Sequence, residues 1–215
     1  MDYTLHLTSR NKSALALYGF YRKIGIKNAD FLLRIYDREL INVDPYNPRL
    51  SKEVQARVIA ECIRNPWYYF REISRIPTPG GHSKFIFNRG NVAQLWCCLN
   101  SINFLEMLPR QQGKTQGIIA AIGYLNNFIL TNSDITFSNK EFGDSKLNIK
   151  RYKKQMELLP TWLIPADPKK DGDAVEKYYL SANNNTINAL STAINPTAAD
   201  KLGRGLTTPI VWWDE

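Results

Sequence analysis

Long apolar runs are missing from this chain. The best of them, Gly117 to Leu125, falls short of the ~20 residues a bilayer-crossing helix needs, which excludes a helical membrane span. A cleavable leader is lacking too: Ala14 to Tyr21 is apolar behind Arg10 and Lys12, but Arg22 and Lys23 close it without a small-residue cleavage site. The expected location is therefore the cytoplasm, with no membrane partner. Cysteine is scarce. Cys62, Cys97 and Cys98 have no metal-ligand spacing and the adjacent pair cannot easily bridge, so a zinc ribbon or a disulfide scaffold is excluded and reduced thiols are expected. Internal repeats and low-complexity tracts are absent as well. Acidic residues are in deficit, 20 against 28 basic ones, and the net charge of +8 suits an anionic partner such as nucleic acid. With 44% hydrophobic residues in 215, the chain can build one substantial core or a core with an appended helical subdomain.

The first 76 residues read as a helical, lid-like region. Phe31, Leu32, Ile35, Tyr36 and Leu40 fall at helix spacing, and a second run from Ser51, an N-cap, extends to Arg64. A break follows at Asn65-Pro66, then the aromatic stretch Trp67-Tyr68-Tyr69-Phe70, which suits a helix packed on the core more than a grip on a base. Pro77-Thr78-Pro79-Gly80-Gly81 reads as a loop. From Asn91 the elements alternate: helix Val92–Leu99, strand Asn103–Leu108, helix Thr115–Leu130, strand Asp134–Ser138, and an amphipathic helix Ser145–Leu159 ended by Pro160. A charged loop, Asp167–Glu176, precedes a hairpin of Tyr178–Ala182 and Thr186–Ser191 turned at Asn183-Asn184-Asn185. This order predicts an α/β fold over 77–215, a mainly parallel sheet flanked by helices.

Two motifs carry chemistry. Leu108-Pro109-Arg110-Gln111-Gln112-Gly113-Lys114-Thr115 sits between an apolar run and a helix-like run. A phosphate-binding loop needs backbone N–H donors, a Lys for the β- and γ-phosphates and a hydroxyl for Mg²⁺, all at the positive end of a helix. Gly113, Lys114 and Thr115 supply the end of that pattern; Leu108 stands where it asks for a first Gly. The second motif is Pro209-Ile210-Val211-Trp212-Trp213-Asp214-Glu215, a strand ending in two acids. A nucleotide-hydrolysing loop enzyme uses one carboxylate for the metal's hydration shell and a second to activate water, at the C-terminal edge of the sheet. A strand that simply stops at a polar turn is the plainer reading of the pair taken alone.

With these pieces in order, residues Asn65 to Glu215 resemble the ATPase half of the large terminase subunit, the motor that drives DNA into the capsids of tailed bacteriophages. That family's phosphate loop replaces the first Gly and carries an early Arg, as Arg110 does here. Thr136-Phe137-Ser138-Asn139-Lys140 leading to Glu157-Leu158-Leu159-Pro160-Thr161-Trp162-Leu163, and the Gly203-Arg204-Gly205 turn, are similar to the family as well. The resemblance implies a P-loop NTPase fold with ATP and Mg²⁺ as cofactors. It implies that Arg110, Gln111, Gln112, Gly113, Lys114 and Thr115 bind the phosphates, with Thr115 and Asp214 on the metal and Glu215 activating water. Lys114 and Arg110 would serve the γ-phosphate within the subunit, and Arg204 would reach a neighbouring subunit's site, where a guanidinium neutralises the transferring phosphoryl group. A surface arginine beside a turn is the alternative for Arg204.

The resemblance implies Gln94 as the adenine reader, since the family places a Gln on the helix just before the phosphate-loop strand and a carboxamide both donates and accepts; the alternative is a solvent-facing helix Gln. Asn88, Arg89 and the 67–70 aromatics could complete that pocket. Partners implied are double-stranded DNA, the portal protein, the small terminase subunit and copies of the same chain in a ring, in the host cytoplasm and transiently at the procapsid portal. The family's coupling motif and nuclease domain are not recognisable, so a truncated form is expected. The rivals are a helicase-like DNA-dependent ATPase and a non-catalytic nucleotide- or DNA-binding fragment.

Overall fold

A computed structural model describes residues 6–107, 109, 113–164, 167, 169–191 and 208–214. By internal contacts the chain divides into two units, Met1–Tyr124 with Glu157–Ile164, and Leu125–Met156 with Pro165–Glu215. No helix among the described residues is long and apolar enough to cross a membrane.

The first unit is built on helices and two small ribbons. Strand β1 (His6–Leu7) leads to helix α1 (Lys12–Lys23), and β2 (Arg34–Ile35) pairs antiparallel with β1. The helix expected across Phe31–Leu40 is corrected here: two short 3₁₀ turns, Ala29–Leu32 and Arg38–Leu40, flank β2 instead. The reason is a side chain from elsewhere. Fully buried Glu61 accepts the N–H groups of Tyr36 and Asp37 at 3.0 and 3.1 Å, so these donors are satisfied without a helical ladder. Glu61 lies on α2 (Lys52–Arg64), whose N-cap Ser51 accepts from the Val54 N–H as the sequence predicts.

Asn65 caps the next turn, α3 (Pro66–Tyr68), which widens into a π-turn over Tyr69–Ile73. The aromatic stretch is core: Tyr68, Tyr69 and Phe70 are buried, and Tyr69 and Phe70 pack on Tyr124 at ring distances of 5.4 and 5.6 Å. Arg71 is buried with them; burial pushes its guanidinium down to about 10 while Glu72 draws it back up. The Pro77–Gly81 loop narrows to the turn Pro79–Gly80 of an antiparallel hairpin, β3 (Arg75–Thr78) with β4 (Gly81–Lys84), where Gly81 takes a φ of +132° open to glycine alone. Helices α4 (Arg89–Leu99) and α5 (Lys114–Phe128) follow.

The strand expected over Asn103–Leu108 is not observed. Ile102–Met107 has no ladder partner among the described residues, and Leu105 and Met107 stand 88% and 85% exposed; Leu108 lies outside those residues. An apolar run becomes a strand only where a neighbour takes its backbone donors and acceptors.

The second unit holds a five-stranded sheet in the order β6-β7-β8-β5-β9, with α6 (Phe142–Met156) packed on β5 and β8. Its strands are β5 (Asp134–Asn139), β6 (Gly172–Ala174), β7 (Lys177–Leu180), β8 (Asn185–Ser191) and β9 (Ile210–Trp213). The pairs β5–β8 and β5–β9 are parallel, β6–β7 and β7–β8 antiparallel. The sheet is thus mixed, correcting the mainly parallel expectation, because short turns can join only antiparallel neighbours. Part of the expected charged loop is β6. Asp171 organises it: against the upward push of burial, bonds from the Ser181 hydroxyl and N–H hold its carboxyl below the ordinary value.

The hairpin turn is as expected, with Asn184 at φ +53°. Asn183 and Asn185 from this turn donate to the carbonyls of Asn126, Asn127 and Leu130, satisfying the C-terminal end of α5. Helix α6 ends at Met156, short of the expected Leu159, because the following residues serve the first unit, where Leu159 and Leu163 are buried and Tyr46 donates to the Leu158 carbonyl.

Candidate functional site

Arg110, Gln111, Gln112, Arg204 and Glu215 lie outside the described residues. The remaining candidates fall in both units: Gln94, Gly113, Lys114 and Thr115 in the first, Asp214 in the second.

In the first unit Gly113 takes φ +83°, a left-handed conformation that lets the loop turn into α5, and Gly117 closes the first helical bond onto the Gly113 carbonyl at 2.9 Å. Lys114 and Thr115 therefore open a 15-residue helix, whose N-terminal end carries partial positive charge. Asn88 caps α4 by accepting the Asn91 N–H, and Arg89 sits over the Phe20 ring. Gln94 on α4 is not a solvent-facing residue: it is 2% exposed. Its Nε2 donates to Glu106 Oε2 at 2.5 Å and to the Lys114 carbonyl at 3.1 Å. Its Oε1 is buried without a hydrogen-bond partner and lies so close to Gly117 that a Cβ built there would stand 1.8 Å away. The carboxamide thus joins α4, the segment before the loop and the first turn of α5 into one corner.

Glu106 was missed in the sequence, although it is the one acid in the apolar run Ile102–Leu108. Burial raises its pKa, while the Gln94 bond and the Lys114 charge pull it back. It is a carboxylate held by the Gln94 amide and within electrostatic reach of Lys114.

In the second unit the expected strand ahead of Asp214 is observed as β9. β9 pairs in parallel register with β5, Phe137 opposite Trp212 with rings 5.0 Å apart, and Asp214 follows at the C-terminal edge. The Asp214 N–H donates to the Ser138 carbonyl at 3.1 Å and its carbonyl accepts from Asn139 Nδ2 at 2.5 Å. Asp214 Oδ2 accepts from Asn148 Nδ2 at 3.2 Å; no donor among the described residues engages Oδ1. From the sequence, Asp214 is singled out and Asn139 is quoted within a motif, but neither Asn139 nor Asn148 is given a role at this edge. No group of three or more His, Cys, Asp or Glu among the described residues is arranged to hold a metal ion. A Mg²⁺ ion does not need one, because it keeps several waters and takes one or two protein oxygens beside phosphates.

No family model matches the chain, and a search of curated proteins returns no significant match.

Proposed function

We propose that this chain is a P-loop ATPase, the Mg²⁺-dependent, ATP-hydrolysing motor domain of a large terminase that drives double-stranded DNA into a phage capsid, working in a ring with the portal and small terminase subunit. The observation that carries the reading is Gly113-Lys114-Thr115 at the entry of a 15-residue helix, the glycine in a left-handed turn. Further support comes from Asp214 at the C-terminal edge of a parallel strand pair, with one carboxylate oxygen held and the other engaged by no donor among the described residues. In this reading the N–H groups of the loop and the Lys114 ammonium bind the phosphates, Thr115 offers its hydroxyl to the metal, and Asp214 holds the metal's water shell. Mg²⁺ would supply charge neutralisation on the phosphates. Arg110 serves the same site, Arg204 a neighbour's, and Glu215 activates water. The basic surplus suits a polyanionic track.

A second reading, a nucleotide- or DNA-binding module without turnover, draws on the Ile102–Met107 segment, which has no strand partner among the described residues, since a phosphate loop is ordinarily delivered by a strand. Phosphate release measured with and without linear duplex DNA separates the two. The motor reading predicts Mg²⁺-dependent, DNA-stimulated release that Lys114→Ala abolishes; nucleotide binding with no release under any condition supports the second.

A further inference from the structure

We infer that Asn148 and Arg151 on α6, with Asn139 at the end of β5, form a positioning relay that fixes the carboxylate of Asp214 and reserves its Oδ1 for a divalent cation. The inference rests on the reading of Asp214 as a metal-holding acid and adds the residues that aim it.

The direction of every bond in the cluster follows from which groups can only donate. A guanidinium has no acceptor. Arg151 Nη1 lies 2.7 Å from Asn148 Oδ1, so the carboxamide oxygen must face Arg151 and the amide nitrogen must face inward. The two amide protons then meet two acceptors, Asp214 Oδ2 and Asn139 Oδ1, each at 3.2 Å. Ser145 does not compete: its single proton goes to the Leu190 carbonyl at 2.5 Å rather than to Asn139 Oδ1 at 3.3 Å. Asn139 in turn donates to the Asp214 carbonyl, so Asp214 is held through both backbone and side chain.

Asn148 is 1% exposed and Asn139 and Ser145 are buried, whereas Arg151 is at the surface. Amides under a sheet edge are not what packing alone selects; apolar side chains fill such a space without needing partners. A fully satisfied polar cluster behind one carboxylate oxygen orients that carboxylate, as outer partners orient metal ligands elsewhere.

Because Arg151 is exposed, it can be changed without emptying the core. Arg151→Glu removes the donor to Asn148 Oδ1 and sets an acceptor against it, which disfavours the amide orientation that donates to Asp214. Arg151→Lys keeps the donor. Binding of Mn²⁺ to the nucleotide-loaded protein, followed by electron paramagnetic resonance, reads the metal site directly. We expect about tenfold weaker Mn²⁺ binding for Arg151→Glu and for Asn148→Leu, near wild-type binding for Arg151→Lys, and an unchanged melting temperature for both Arg151 variants. Added negative charge by itself would tighten Mn²⁺ binding, so the sign separates the relay from bulk electrostatics. Arg151→Glu binding as tightly as wild type, or tighter, overturns the relay while leaving the metal reading intact. Failure of the wild-type protein to bind Mn²⁺ with nucleotide overturns both.

Discussion

Gly117→Ala places a methyl group where the structure has none to spare. The added Cβ would stand 1.8 Å from Gln94 Oε1 and 3.0 Å from its Cδ, inside any real contact distance. Gln94 cannot swing into solvent at no cost, because its other terminal atom is bonded to Glu106 and to the Lys114 carbonyl. Moving it breaks a hydrogen bond to a carboxylate, worth about 1.5–3 kcal/mol, and one to a carbonyl, worth about 0.5–1.5 kcal/mol. Against this, alanine in a helix gains about 1 kcal/mol over glycine. The net expectation is a loss of about 1–3 kcal/mol. Urea denaturation should show a lower midpoint with the slope unchanged. Gln94→Ala in the same chain should make Gly117→Ala neutral or favourable, a coupling of more than about 1 kcal/mol in a double-mutant cycle. If Gly117→Ala alone stabilises the protein by the helix-propensity amount, the corner between α4 and α5 is not built as described.

Other outcomes follow from buried groups in the first unit. Glu61→Ala removes the acceptor for Tyr36, Asp37, Arg64 and Asn65 at a fully buried position and should cost about 2–5 kcal/mol, at about 1–3 kcal/mol for each donor left unsatisfied; a loss below about 1 kcal/mol by urea denaturation would contradict the role given to this carboxylate. Stability should also fall in alkali. Burial pushes the Cys98 thiol and the Tyr46 phenol up to about 12, and raises Cys62 well above its ordinary 9.0. The unfolded chain ionises these groups from about pH 9 upward while the native state keeps its protons, so the stability they provide is complete below pH 9 and is lost as pH rises toward 12. Urea midpoints that stay level between pH 7 and pH 10.5 would contradict that assignment.

What was legible in the sequence was local. Ser51 announced a helix start because a cap and its helix are neighbours in the chain, and the asparagine turn announced its hairpin for the same reason. Asp214 could be found because a short apolar run ending in an acid marks the edge of a sheet. The failures have one physical character. The helix pattern at Phe31–Leu40 lost to a carboxylate on α2, more than twenty residues onward, and the strand pattern at Asn103–Leu108 has no neighbour to complete it among the described residues. Glu106, Gly117, Asn139 and Asn148 matter through contacts set by how α4 meets α5 and how β5 registers with β9, which no spacing in the chain encodes.

The central claim is a phosphate site at the start of α5. Equilibrium titration of the purified chain with a fluorescent ATP analogue, with and without Mg²⁺, tests it most directly, using Lys114→Ala as the paired variant. The account predicts saturable, Mg²⁺-strengthened binding that ATP competes away and that falls at least about tenfold when the Lys114 ammonium is removed, the equivalent of one charge-assisted bond to phosphate. Binding unaffected by Lys114→Ala, or no saturable binding at all, would contradict it.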